Sequence, residues 1–300
     1  MINLHNLVTD PRTLRLGIRL SQLMPTGLGE RVAWWLSGVV CQIKPAAYRI
    51  LEANLHQVLG PDMELPTLEE TARQVFYSTL RSSIDLFRAL RFSFEELRAM
   101  VDFPEEAQAV ARSLWHRPGG SVLVFPHLGS FDLAAQAFGT HLPEPQVLTL
   151  PNPSPGFQLT NALRQRSGVE ITPLSSTALR QAIARLKRGG LVSIAGDRPV
   201  SGSDELVPFF GRPARVPSGH VRLALKTGAV VTVGCCFFSP ETSKYTVHME
   251  PPLEMLRTGN REEELTLNMR RVLDLLEATI RHWIGQWQMY VPVWPELVEG

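Results

Sequence analysis

The sequence predicts an α/β fold, a central mixed, mainly parallel sheet flanked by helices and preceded by a helical N-terminal section. Three observations predict it. Apolar positions recur at helical spacing through residues 1–115 without strong alternation. From Ser121 onward, short apolar runs alternate with amphipathic stretches, as strands and helices do in an α/β sheet. Finally, 44% apolar composition over 300 residues is enough to bury a sizeable core.

In the front section, Leu51, Leu55, Val58 and Leu59 mark one helical face, and Val75, Phe76, Leu80, Ile84, Phe87 and Leu90 mark another. Pro45 and Pro66 punctuate these helices, and Pro104 opens a short one ending near Trp115. Candidate strands follow at Ser121–Phe125, Gln146–Leu150, Val169–Thr172, Leu191–Ala195, Ala229–Phe238 and Lys244–Glu250. Between them, Leu179, Ile183 and Leu186 form one helical stripe that Gly189-Gly190 stops. Val221–Lys226 reads as a helix entered through Pro217, Ser218 and Gly219, and a last helix runs from Arg261 to about Trp287. There is no internal repeat and no long linker, so residues 1–300 are expected to form a single domain, with 1–115 as the helical section and 116–300 as the α/β core.

Composition excludes several classes. Thirty Lys and Arg against 29 Asp and Glu leave a net charge of +1, which lacks the basic footprint of a general nucleic-acid binder. Cys41, Cys235 and Cys236 supply neither a disulfide framework nor the paired spacing of a zinc site, so a reducing compartment is the default. Crossing a bilayer takes about 20 mostly apolar residues. Val32–Ile43, between Arg31 and Lys44, falls short of that, and no secretory leader is evident, so the protein is expected inside the cell. There is no Gly-x-Ser-x-Gly elbow, no Walker loop, no dinucleotide fingerprint and no His-Glu-x-x-His pair.

The sharpest local feature is His127-Leu-Gly-Ser-Phe-Asp132, directly after the apolar run Val122–Phe125. On a continuous helix, five positions are about 140° apart, so the two side chains would not share a face. A strand-turn-helix junction removes that obstacle. His127 then sits at the strand exit, Gly129 relaxes the turn, Ser130 caps, and Asp132 reaches back to an imidazole nitrogen. An aspartate on one ring nitrogen fixes the tautomer and stabilises the imidazolium that forms when the other takes a proton. The plainer alternative is a structural histidine and a helix-start carboxylate.

A second cluster follows the strand Leu191–Ala195. Asp197, Arg198 and Glu205 put charge at a strand exit, where sites of open α/β sheets gather, or else form an ion pair in a solvated loop. Phe209 and Phe210 read either as core or as the wall of an acyl groove. Arg164 and Arg166 offer forked donors to phosphate or carboxylate, or decorate a helix surface. Arg12, Arg15, Arg19 and Arg31 lie near Leu16, Ile18, Leu20, Trp34 and Trp35, a combination that suits an interfacial section seeking anionic lipid and equally suits packing on the core.

In order along residues 45–295, the chain resembles the bacterial lipid A biosynthesis acyltransferases and the related phosphatidylinositol mannoside acyltransferases, within the wider lysophospholipid acyltransferase group. Tyr48-Arg49 with Asn54-Leu55 and the Phe76–Arg88 helix look like the family's front section, and Phe125-Pro-His-Leu-Gly-Ser-Phe-Asp132 is similar to its catalytic block. Asp197-Arg198, Pro208-Phe-Phe-Gly211 and Pro217-Ser-Gly219 are similar to later blocks, and Gln286-Trp287-Gln-Met289 looks like its closing motif. Asp197-Arg198 and that ending look closer to the mannoside branch. The chain departs from the lipid A enzymes in having only the short Val32–Ile43 segment where they carry a membrane anchor.

The resemblance implies transfer of a fatty acyl chain from a thioester, acyl-CoA or acyl carrier protein, to a hydroxyl of a glycolipid or phospholipid. His127 would be the general base and Asp132 its orienting partner, with no acyl-enzyme and no resident cofactor or metal. Arg164, Asp197, Arg198, Glu205, Phe209 and Phe210 would bind substrate. The expected partners are the acyl donor, the lipid acceptor and a membrane surface, with no nucleic acid, and the expected place is the cytoplasmic face of the bacterial inner membrane, peripherally attached. A catalytically inactive lipid-binding scaffold is the rival reading, which turnover lost on His127→Ala would exclude.

Overall fold

The computed structural model describes residues 11–60, 64–152, 158, 161, 168–200 and 204–298. Helices come first: α1 (Pro11–Leu23), α2 (Thr26–Ile43), α3 (Ala46–Leu59), α4 (Leu65–Ala89) and α5 (Phe94–Met100). The two-residue strand β1 (Val101–Asp102) and helix α6 (Glu105–Ser113) lead into the α/β part. There the order is β2 (Ser121–Phe125), α7 (Phe131–Phe138), β3 (Pro145–Thr149), β4 (Glu170–Pro173), α8 (Ser176–Lys187) and β5 (Leu191–Ala195). A hairpin, β6 (Asp204–Phe209) and β7 (Arg212–Pro217), precedes α9 (Gly219–Thr227), β8 (Val230–Ser239), β9 (Lys244–Met249) and α10 (Arg261–His282).

Seven strands form one sheet in the order β1-β9-β8-β2-β5-β3-β4. The β8–β9 pair is antiparallel and the other neighbours are parallel, giving the mixed, mainly parallel sheet that the sequence predicts. The central strand β2 is buried on both faces because helices cover both. Val122 and Val124 join Val192, Val231 and Val233 in a core with α3, α4, α8, α9 and α10. On the opposite face, α7 packs with Cys236 and Tyr245, while α6 packs against Leu191, Val230 and Met249.

Both predicted helical faces of the front section turn inward. Leu51, Leu55 and Val58 on α3 and Val75 and Phe76 on α4 are buried. Two features depart from the sequence reading. The segment read as a charged loop after Asp197 is the β6–β7 hairpin, its register running from Asp204 opposite Pro217 to Phe209 opposite Arg212. The last helix stops at His282, and a 3₁₀ turn at Ile284–Gln286 redirects the chain into an extended strap along the loop that follows β2.

Candidate active site

Strands β2 and β5 are parallel neighbours with Phe125 opposite Ala195. His127 and Asp197 each stand two residues beyond the end of their strand, so the register itself brings them together at the C-terminal edge of the sheet. The imidazole Nδ1 lies 2.7 Å from Asp197 Oδ1, and the backbone N–H of His127 donates to Oδ2 at 2.7 Å. The Trp287 indole N–H donates to the same Oδ2 at 2.8 Å. Asp197 is wholly buried, whereas the imidazole keeps 25% of its surface exposed. A carboxylate can only accept, so this contact puts a proton on Nδ1 and leaves the lone pair on Nε2.

Two glycines make the close approach possible. A Cβ on Gly196 would stand 2.4 Å from Val124 Cγ1 and 2.8 Å from Leu276 Cδ1. Gly129 has φ +60°, and a Cβ there would fall 2.0 Å from the carbonyl oxygen of Cys236. The turn is tied down from both sides. The Ser130 N–H donates to Cys236 O at 2.7 Å, and the Gly129 N–H to Gln286 O at 3.0 Å. The strap returns the contact, its Gln288 N–H donating to His127 O at 2.7 Å and the Gln288 side chain to Gly129 O at 2.8 Å.

His127 opens onto a cleft of about 490 Å³ that is largely apolar. The cleft runs between α8 and α9, past Leu179, Ile183, Ile194 and Leu223, with Phe125 and Phe131 beside the histidine. Arg198, Arg222 and Lys226 add cationic groups to its lining. Burial holds the Arg198 guanidinium below the usual arginine range, against the pull of the adjoining Asp197. A smaller cavity of about 110 Å³ under α7 shares Phe125, Phe131 and Val147 with the cleft.

The sequence reading needs five corrections here. The carboxylate that holds Nδ1 is Asp197, because in-register parallel strands deliver it there, while Asp132 stands half-buried in the first turn of α7. For the same reason Asp197 binds no substrate directly, being sealed beneath the histidine. Phe209 and Phe210 are core residues packed against Trp294 and Trp287 rather than cleft wall. Glu205 pairs with Arg222 at 2.5 Å, so it reaches the cleft only through that arginine. Ser130 occupies the position before α7 but makes no side-chain cap. Arg198 does line the cleft, and Arg164 and Arg166 lie outside the described residues.

Sequence reasoning missed Trp287 as a partner of Asp197, and it missed Arg222 and Lys226. Trp287 stood in the recognised closing motif, but nothing local connects it to a residue 90 positions earlier. The thiols are poor nucleophiles. Burial pushes Cys236 up to about 12 and Cys235 well above the ordinary thiol value.

A mainly parallel sheet with a histidine–carboxylate pair at its C-terminal edge, opening on a largely apolar cleft, has the arrangement of an α/β enzyme with room for an apolar ligand. The family model for the bacterial lipid A biosynthesis acyltransferases matches residues 17–295. The chain belongs to that family, and it is an O-acyltransferase that takes an acyl donor and a lipid acceptor. It is 24% identical over 289 residues to a phosphatidylinositol mannoside acyltransferase of Mycolicibacterium smegmatis, covering 93% of this chain and 89% of that protein. A phosphatidylinositol mannoside acyltransferase of Mycobacterium tuberculosis is 28% identical over 182 residues, covering 58% of this chain and 54% of the relative.

Proposed function

We propose that this protein transfers a fatty acyl chain from a thioester donor, acyl-CoA or acyl carrier protein, to a hydroxyl of a glycolipid or phospholipid, with His127 as general base. The observation that carries the reading is the His127–Asp197 pair at one end of the apolar cleft. The acceptor O–H gives its proton to Nε2 as its oxygen attacks the thioester carbonyl carbon. The C–S bond then breaks, and the imidazolium returns the proton to the departing thiolate, releasing free thiol and the new ester. Asp197 holds the productive tautomer and offsets the positive charge that forms on the ring. The acyl chain occupies the cleft between α8 and α9, where burial of each methylene contributes about 0.8 kcal/mol. Arg198, half-buried in the lining, receives an anionic group of substrate through its forked donors.

The acceptor is a glycolipid in the reading favoured by the mannoside-acylating relatives. No helix among the described residues is long and apolar enough to cross a membrane. Peripheral attachment is supported by α1 and α2, whose Leu16, Leu20, Leu23, Trp35 and Ile43 are exposed beside the exposed Arg15, Arg19 and Arg31. Helix α1 carries no acidic residue to oppose an anionic surface. An acyl-CoA or acyl carrier protein donor would favour attachment on the cytoplasmic face.

The test is thiol release from palmitoyl-CoA with phosphatidylinositol mannoside dispersed in detergent as acceptor, checked by mass spectrometry of the lipid product. Wild type turns over, and His127→Ala and Asp197→Asn each fall by about 10²–10⁴-fold. A folded His127→Ala variant with full turnover would sink the assignment.

A further inference from the structure

Asp197 accepts three hydrogen bonds, and their division between its oxygens is uneven. Oδ1 faces His127 Nδ1, while Oδ2 takes the His127 backbone N–H and the Trp287 indole N–H. Trp287 has no exposed surface and lies in the strap, one residue before Gln288, which itself grips His127 O and Gly129 O. Leu128 and Trp287 form an antiparallel bridge, so the backbone that carries the indole is fixed to the loop that carries the histidine.

Packing alone does not demand this bond. Trp294 is buried just as deeply in the same core, and its indole nitrogen has no hydrogen-bond partner. An indole can therefore be sealed into this core without satisfying its N–H. Of these two buried indoles, the one that makes a bond makes it to the carboxylate beneath the base.

We propose that Trp287 is a positioning residue for acyl transfer, its indole N–H clamping Asp197 Oδ2 so that Oδ1 stays aimed at His127 Nδ1. This rests on the reading of His127 as the base. Among the described residues, the charged and titratable groups facing Asp197 are His127, at the exit of β2, and Arg198, next along the chain. The indole adds a neutral donor that disperses the carboxylate charge. Without it the carboxylate pulls harder on the Nδ1 proton, so the imidazole holds its own proton to higher pH, and the ring's preferred orientation is less sharply fixed.

The experiment compares full-length wild type, Trp287→Phe and His127→Ala in the palmitoyl-CoA and phosphatidylinositol mannoside assay across pH. Phenylalanine keeps most of the ring volume and removes the donor. Trp287→Phe is expected to lower kcat about tenfold with KM unchanged, and to move the acidic limb of kcat/KM to higher pH. A fall in kcat with the limb unmoved, or a loss only in proportion to folded protein, would assign Trp287 to structure alone and overturn the proposal. Absence of thiol release by folded wild type would instead overturn the acyl-transfer reading, and this proposal with it. Should Trp287→Phe fail to fold, the indole ¹⁵N–¹H resonance of Trp287 provides the second measurement. It is expected to be protected from exchange and to shift on Asp197→Asn, and an unmoved resonance counts against the clamp.

Discussion

Asn54 on α3 donates its side-chain amide to the carbonyl of Met289 at 3.0 Å, across 235 positions of chain. The same amide reaches Val291 O at 2.9 Å, and its carbonyl oxygen accepts the Val293 N–H at 3.1 Å. One buried side chain thus satisfies three backbone groups of the strap, which form no regular ladder there. Replacing it with leucine of similar size leaves those groups unpaired, at roughly 1–3 kcal/mol for an unsatisfied buried group. Asn54→Leu should lower unfolding stability by about 2–4 kcal/mol in urea titrations. Catalysis by the folded fraction should weaken as well, because the same strap holds His127.

Acid should destabilise the protein through His220. It is fully buried at the start of α9, with neither ring nitrogen hydrogen-bonded, and burial pulls its pKa from 6.5 to about 4. The unfolded chain binds a proton below about pH 6.5 that the folded one refuses. This contribution to stability is complete above that pH and is lost as pH falls toward about 4, by roughly 3 kcal/mol. The urea midpoint of His220→Leu should therefore drop less between pH 7 and pH 4.5 than that of wild type.

Acyl-chain preference should follow the walls of the cleft. Ile183 on α8 lines it, and Phe131 stands between it and the smaller cavity, with its ring centroid 4.7 Å from that of Phe125. Ile183→Trp should depress kcat/KM for palmitoyl-CoA by tenfold or more (~1.4 kcal/mol) while sparing octanoyl-CoA. Phe131→Ala joins the two spaces and should shift the optimum toward longer chains. Competition between donors of different length in one reaction reads both effects.

Membrane attachment should depend on side chains that the fold leaves in solvent. Trp35 is 66% exposed and Leu23 75% exposed, and neither supports the core. Trp35→Ser combined with Leu23→Ser should weaken binding to vesicles containing phosphatidylglycerol by tenfold or more, as the loss of about 2 kcal/mol of interfacial burial requires. The melting temperature should stay the same. Flotation with phosphatidylcholine vesicles alone separates the apolar from the electrostatic part.

The sequence revealed those parts of the fold that are written locally. Ser121–Phe125 and Leu191–Ala195 form strands over the residues that their apolar runs mark, and α8 carries the predicted stripe. Harder to read was the β6–β7 hairpin, because Pro208, Pro213 and the alternating charges disguise the strand pattern. The histidine at the strand exit was visible, but its partner was not. Asp132 is near His127 in sequence, whereas Asp197 becomes its neighbour only once β2 and β5 lie side by side in register. That adjacency belongs to strand order, which no single stretch of residues encodes. Trp287 was hidden for the same reason, since its meeting with Asp197 depends on the turn after α10.

Because the strap after α10 supplies bonds that pin the turn between His127 and Ser130, the geometry at the sheet edge is completed by residues as far as 159 positions away. A chain cut between α10 and Gln286 would keep the strands of the sheet and still leave His127 without those anchors.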